Sequence, residues 1–327
     1  MDSAARIAFV APFGFGQKTT VWARTLPLAR QLAHQGHAVA LIIPPWDTPA
    51  DAGKRADDAG VTVEQVSLRG GLAATLWRMV QQLDMFSPDI VHIVKPRAHA
   101  GIVQWVLWQR RRRRGSTGRP LLCLDIDDWE QAWAPINRYP WPVARFLAWQ
   151  EEWGIRHADA ISAASHWLAA RAHAYAPQTP VLYLPNGVDE PQAVAPRAQP
   201  AEPHILYYTR FVEVAPAWLA AFWRALHAQR PDAHLDVAGA PLQPGRERAF
   251  QRAMSEAGAA AAQQVTWHGF VDQAQQSALY AVAACAIFPA ENVPLQQAKC
   301  SVRLATTLLH GVPVVAAAVG EQAHYGA

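Results

Sequence analysis

The sequence predicts two doubly wound α/β domains that face each other across a cleft. Three observations carry this reading. Short apolar runs alternate with helical stretches along the whole chain. A glycine loop follows the first apolar run, and a soft stretch rich in Pro, Ala and Gln, residues 188–203, separates two series of the same kind. A length of 327 residues also suits two domains better than one.

Each element follows from local pattern. Residues 6–12, RIAFVAP, are an apolar run that leads into Gly14-Phe15-Gly16. Over 21–34, Val21, Leu26, Leu28, Ala29 and Leu32 fall on one helical face, Gly36 stands where a helix is capped, and 38–43 reads as the next strand. Further strands are expected at 61–66, 89–94, 121–125, 160–163 and 181–184. Beyond the soft stretch come a strand at 204–208, a Trp-rich helix at 217–228, a strand at 234–238 and a helix at 246–257. They are followed by a strand at 265–267, a helix at 273–282, a strand at 285–288, a helix at 301–310 and a strand at 313–316. The expected organisation is a domain over 1–190, a linker over 191–203 and a second domain over 204–327. The second, at about 125 residues against about 190, reads as truncated or pared down at its C-terminus. In open α/β sheets ligands sit beyond the carboxyl ends of the strands, which directs attention to the cleft.

Composition narrows the function. Hydrophobic residues make up 51% and charged residues 17%, a globular balance that excludes a mostly disordered chain. The net charge of +3 is local, because without Arg110, Arg111, Arg112, Arg113 and Arg114 there remain 24 basic against 26 acidic residues. Nucleic acid is therefore a poor partner. Three widely spaced cysteines fit a reducing compartment rather than a disulfide framework. The N-terminus lacks a signal-peptide pattern, and the apolar stretch 101–108 is shorter than the roughly 20 residues a membrane span takes. A cytoplasmic protein, soluble or peripheral at the inner face of the cell membrane, is expected.

Several motifs bear chemistry. Gly14 and Gly16 let backbone N–H groups approach a bound group, or simply make a tight turn. Asp125, Asp127 and Asp128 crowd three carboxylates at a strand end. Asp127 or Asp128 would bind an acceptor hydroxyl or take up its proton, the alternative being a solvated loop with a helix cap. His92, on the strand 89–94, would face the same cleft or serve as a buried structural histidine. Pro185-Asn186-Gly187-Val188-Asp189 is a sharp exit from the sheet. Arg210 at a strand's carboxyl end suits a phosphate, or a surface salt bridge. Ser301 is a natural N-cap, with Lys299 just before the helix and Arg303 in its first turn. Cations there oppose the helix dipole, and a bound anion would explain them better than solvation does. Finally, Trp105 and Trp108 beside the five arginines fit contact with an anionic membrane surface, or a core-facing helix with a solvated basic end.

The order of these motifs resembles a known family. Gly36-His37-Ala38-Val39, Asp89-Ile90-Val91-His92, the PNGVD segment, the strand ending in Arg210, Trp267-His268-Gly269-Phe270 and GVPVVAAAVG over 311–320 occur in the sequence of the GT-B glycosyltransferases. The likeness is to the large retaining group that includes sucrose synthase-like and lipopolysaccharide mannosyl- and glucosyltransferases (family 4-like, group 1 type). It implies transfer of a sugar from a nucleotide-sugar donor to an acceptor hydroxyl, saccharide or lipid-linked, with retention and without a metal or other cofactor. The setting would be cell-surface polysaccharide, lipopolysaccharide or glycolipid synthesis. It further implies that the second domain holds the nucleotide, that Arg210 meets its phosphates, and that Gly14 and Gly16 lie near the diphosphate. The family's paired glutamates fall on Ala298 and Thr306, and its lysine falls on Ala215. Lys299 and Arg303 would replace that charge, with Glu291 and Asn292 contacting the sugar. These departures leave a second reading, a degenerate GT-B chain that binds nucleotide or a partner without turnover.

Overall fold

The computed structural model describes residues 4–16, 20–115, 119–188, 196–198 and 200–325. Residues 191–195 and 199 of the expected linker, together with Asp189 and the Arg114 side chain, lie outside the described residues. The chain divides into two compact units, Met1–Asn186 and Gly187–Ala327.

The first unit runs β1 (Arg6–Val10), α1 (Leu26–His34), β2 (Ala38–Ile43), β3 (Arg55–Asp58), β4 (Val61–Gln65), α2 (Gly71–Phe86) and β5 (Ile90–Val94). It continues with α3 (Ala98–Arg114), β6 (Leu121–Ile126), α4 (Glu130–Trp133), α5 (Trp141–Arg156), β7 (Ala160–Ala163), α6 (His166–Tyr175) and β8 (Val181–Tyr183). The strands form one sheet in the order β3-β4-β2-β1-β5-β6-β7-β8. All pairs are parallel except β3 with β4. Strands buried on both faces explain the unbroken apolar runs: Phe9, Leu41, Ile43 and Val61 are in one core cluster with Leu26 and Ala29 of α1.

The second unit comprises β9 (His204–Tyr208), α7 (Pro216–Gln229), β10 (His234–Ala238), α8 (Arg246–Ala257), α9 (Ala259–Gln263), β11 (Val265–Gly269), α10 (Gln273–Val282), β12 (Ala283–Phe288), α11 (Pro294–Ala298), α12 (Val302–Leu309) and β13 (Val314–Ala316). Its five parallel strands are ordered β11-β10-β9-β12-β13. Tyr207, Leu235, Trp223 and Phe250 centre the core, and the buried Trp223 indole N–H donates to Ala261 O at 2.7 Å.

Two features depart from the sequence expectation. The first helix does not begin as an α-helix: residues Val21–Thr25 form a wider π turn in which Leu26 N–H reaches Val21 O. Pro27 has no N–H with which to complete the tighter pattern there. Strand β3, Arg-Ala-Asp-Asp, is an antiparallel edge without an apolar face, and its Arg55 pairs across to Glu64 at 3.0 Å. Expected helix ends hold well: Gly36 has φ 92°, and the Ser301 side chain accepts from Leu304 N–H.

Both sheets reverse direction beside their first strand. In the first unit the chain places β2 on one side of β1 and β5 on the other. In the second, β10 and β12 flank β9. The carboxyl ends of these strands are where an open α/β sheet forms its ligand crevice.

Candidate active site

At the crevice end of the first sheet stands a buried charge cluster. Lys95 directly follows β5 with φ 57°, and its N–H donates to Asp125 O at 3.0 Å. Its ammonium lies 3.0 Å from Asp127, 3.0 Å from Glu130 and 3.9 Å from Asp128. Burial opposes the charge, but Asp127, Glu130 and Asp128 hold the group above the usual lysine range. The other oxygen of Glu130 takes the Arg97 guanidinium, which also donates to the Tyr139 hydroxyl at 2.9 Å. Despite burial, Lys95 and Arg97 hold Glu130 below the usual carboxylate range. Behind it, Glu151 accepts from the N–H groups of Glu130 and Gln131 at 2.7 and 3.1 Å. Its burial and the adjacent Glu130 push it up to about 8.

The three aspartates at the end of β6 are therefore separated in role. Asp125 is locked in the interior by Arg24 at 2.7 and 2.8 Å and by the Ser162 hydroxyl at 2.6 Å. Arg24 also donates to Leu184 O and Asn186 Oδ1, tying the Asn-Gly exit to the first helical segment. Asp127 accepts from Thr20 Oγ at 3.0 Å and, with Asp128, faces Lys95. Nearby cations thus offset the mutual repulsion that the sequence suggests.

His92 belongs to a different environment. It lies in mid-strand, its ring stacked on Phe9 at 4.8 Å and its Nε2 3.4 Å from Ser162 Oγ. Burial lowers its pKa against the pull of Asp125. These contacts describe a structural histidine within the sheet. Gly14 and Gly16 have a role in close approach, since a Cβ on Gly14 would come within 2.9 Å of Pro45 Cα. Their N–H groups, however, already donate to the Asp47 carboxylate at 2.7 and 3.0 Å.

At the crevice end of the second sheet, Thr209, Arg210 and Phe211 turn sharply after β9, with Phe211 at φ 63°. The buried Glu213 carboxylate organises this turn. It accepts from Thr209 Oγ at 2.8 Å, from the N–H groups of Val212 and Arg210 at 3.0 and 3.3 Å, and from Arg303 at 2.7 Å. Burial would raise its pKa, but Arg303 and Lys299 hold it well below the usual carboxylate range. Arg303 also donates to Tyr208 O at 2.9 Å, its guanidinium 5.5 Å from the Tyr208 ring centre. A small hollow here is lined by Tyr208, Glu213, Phe288, Lys299, Ser301 and Arg303, among others.

The fold thus brings Lys299, Ser301 and Arg303 together and sets Arg210 on the turn that Glu213 holds. Arg303, expected to meet an anionic ligand directly, is already engaged by an internal carboxylate. Glu291 lies on the strand β12 exit, where its N–H donates to Glu213 O and its side chain accepts from Ala215 N–H at 3.1 Å. Asn292 accepts from the Gln297 amide at 2.7 Å. Ala298, at one of the family's glutamate positions, is fully buried.

The basic run is absorbed by the fold in part. Arg110 pairs with Asp84 at 3.0 Å and Arg111 with Asp159 at 2.5 Å. Trp108 packs edge-on against Trp153 and His157, beneath Arg112, while Trp105 stays 39% exposed. Sequence reasoning missed Lys95, Arg97, Glu130 and Glu213. The Lys-Pro-Arg directly after β5 was the available signal for the first two.

Two Rossmann-like units, each with a charged cluster at the carboxyl ends of its parallel strands, have the architecture of the GT-B fold. Residues 19–187 match the glycosyl transferase 4-like domain and residues 202–325 the glycosyl transferases group 1 model, and the chain belongs to this glycosyltransferase family. No curated protein matches the sequence. Among solved structures, sucrose-phosphate synthase from Thermosynechococcus elongatus is similar at 17% identity and TM-score 0.68, over 97% of this chain and 82% of that one. WaaG, a glycosyltransferase involved in lipopolysaccharide biosynthesis, is similar at 18% identity and TM-score 0.63, over 98% and 83%. HepE from Anabaena, solved in complex with UDP, is similar at 17% identity and TM-score 0.62, over 98% and 82%. Among the described residues, no helix is long and apolar enough to cross a membrane.

Proposed function

We propose that this glycosyltransferase moves a sugar from a nucleotide-sugar donor to an acceptor hydroxyl with retention, without a metal, in the synthesis of a cell-surface polysaccharide, lipopolysaccharide or glycolipid. The proposed setting is the cytoplasmic side of the membrane. The observation that carries this reading is the gathering of Lys299, the Ser301-capped start of α12 and Arg303 around one hollow at the direction reversal of the five-stranded sheet. A diphosphate there would meet the Lys299 ammonium and the helix-terminal N–H groups. Glu213 would keep Arg303 and the Arg210 turn in place, and Arg210 would supply a second cation to the leaving diphosphate. On the other unit, Asp127 and Asp128 would orient the acceptor hydroxyl, with Lys95 fixing their position. HepE has been solved with UDP-glucose, which supports a nucleotide-sugar donor by likeness of fold.

Calorimetric titration with UDP, GDP and ADP, followed by turnover of the matching sugar nucleotides, tests this. Arg210→Ala should lose about 2 kcal/mol of charge-assisted nucleotide binding. Unchanged affinity would refute the assignment of Arg210. Binding without release of nucleoside diphosphate would instead favour a chain that holds nucleotide without turnover, a reading that Ala298, Thr306 and the Glu213-engaged Arg303 support.

A further inference from the structure

The five arginines drew attention to α3, yet the surface the fold leaves open is on its neighbour. Helix α5 carries Trp141 at 72% exposure, Trp149 at 47%, and Val143 and Phe146 at 43% each. Trp141, Phe146 and Trp149 are large apolar groups on three successive turns, away from the stripe buried through Leu147, Gln150, Glu151 and Gly154, on which Val143 stands at the first turn. The exposed groups connect to α3 by ring contacts. Phe146 stacks on Trp149 at 5.8 Å, Trp149 lies 6.1 Å from Trp153, and Trp153 meets Trp108 at 5.6 Å with Arg112 above it. The two helices pack side by side, with the Gln104 amide donating to Gly154 O at 2.8 Å. Trp105 adds to the exposed aromatics on the α3 side.

The two segments that make up this face carry charge of one sign. Residues 98–114 and 131–150 contain no Asp or Glu. Arg112, Arg113, Arg138 and Arg145 are all exposed, and Arg145 lies over the Trp141 ring at 5.6 Å. The next carboxylates along α5 turn elsewhere: Glu151 is buried on the α4 amides, and Glu152 faces Gln131, Tyr175 and Arg156. Exposed indoles flanked by arginines, with Glu152 on the same stripe answered by Arg156 at 3.9 Å, complement an interface that is apolar below and anionic at its surface.

We infer that the outer face of α5, continued by α3, is a docking surface for an anionic lipid bilayer, into which Trp141, Phe146 and Trp149 insert beneath an arginine collar. The arginines that do this are Arg138, Arg145, Arg112 and Arg113, rather than the paired Arg110 and Arg111.

Flotation of the full-length chain with vesicles tests this, using phosphatidylcholine alone or with phosphatidylglycerol added. The wild-type chain should float with the phosphatidylglycerol vesicles, less so as salt rises, and not with phosphatidylcholine alone. The triple variant W141S/F146S/W149S should bind at least about 10-fold more weakly. R138E/R145E, which removes no apolar group, should lose the preference for anionic vesicles. W218S/F270S, at exposed aromatics of the other unit, should bind as wild type. The inference is overturned if the α5 variants float like wild type, or if the wild-type chain ignores phosphatidylglycerol. It is overturned equally if the wild-type chain is a dimer that W141S/F146S/W149S converts to a monomer, since the face would then be an interface between copies.

Discussion

Replacing Lys95 with Met removes the cation at the centre of the first-unit cluster while nearly keeping its volume. At 3.0 Å from Asp127 and from Glu130, each attraction has a gross value of about 5 kcal/mol at an effective dielectric of about 20. The desolvation of the ions offsets much of this, so the net loss is set by what remains unpaired. Glu130 keeps Arg97, but Asp127 keeps only the Thr20 hydroxyl among its described hydrogen bonds. Breaking a buried pair on one side costs about 3–5 kcal/mol, and that is the expected loss for the first unit near neutral pH. The sign of the pH dependence follows from Glu130, whose folded pKa lies below its unfolded value. Its contribution is present above the unfolded pKa and is lost as pH falls through the folded one. The gap between wild type and Lys95→Met should therefore narrow in acid. Calorimetric melting, with hydrogen exchange of β5 and β6 to locate the change, measures it. A loss under about 1 kcal/mol near neutrality, or one that does not shrink in acid, would refute the reasoning.

Two further perturbations separate structural roles. Glu151, pushed up to about 8, takes up a proton on folding between its unfolded value and that point, so its contribution to stability declines as pH rises through this window. Glu151→Gln keeps an acceptor for the α4 amides and should gain in melting temperature relative to wild type from about pH 5 to about pH 8; parallel curves would count against it. Ser301→Ala removes the cap on Leu304 N–H and should lower the stability of the second unit by about 1 kcal/mol, read by urea denaturation. No change would mean that the α12 start is held by tertiary contacts instead.

Much of the fold was legible because parallel strands covered on both faces read as uninterrupted apolar runs. Ala38–Ile43 follows that pattern, as does His204–Tyr208 after its first residue, and both were delimited from sequence alone. Strand β3 was not, since an edge of Arg, Ala and two Asp offers no apolar signal. The Ser301 cap was readable because it is a local event. The clusters were not readable, because their pairs join residues remote in sequence: Lys95 and Glu130 are 35 apart, and Glu213 and Arg303 are 90 apart. A cation's neighbours along the chain say nothing of the carboxylate that topology sets beside it. For the same reason the arginine run overstated its availability, with Arg110 and Arg111 answered by Asp84 and Asp159.

Arg24 shows how such long-range pairing shapes assembly. It belongs to the first helical segment of its unit, yet its acceptors are Asp125, 101 residues later, and Leu184 and Asn186, 160 and 162 residues later. As the polypeptide is synthesised, this guanidinium must wait, hydrated, until nearly the whole first unit exists. The initial strand-helix-strand segment thus cannot reach its final burial on its own. A fragment ending before Leu184 would leave that arginine two acceptors short, so the segment just past the last strand of the unit works as the closing latch for the first helix.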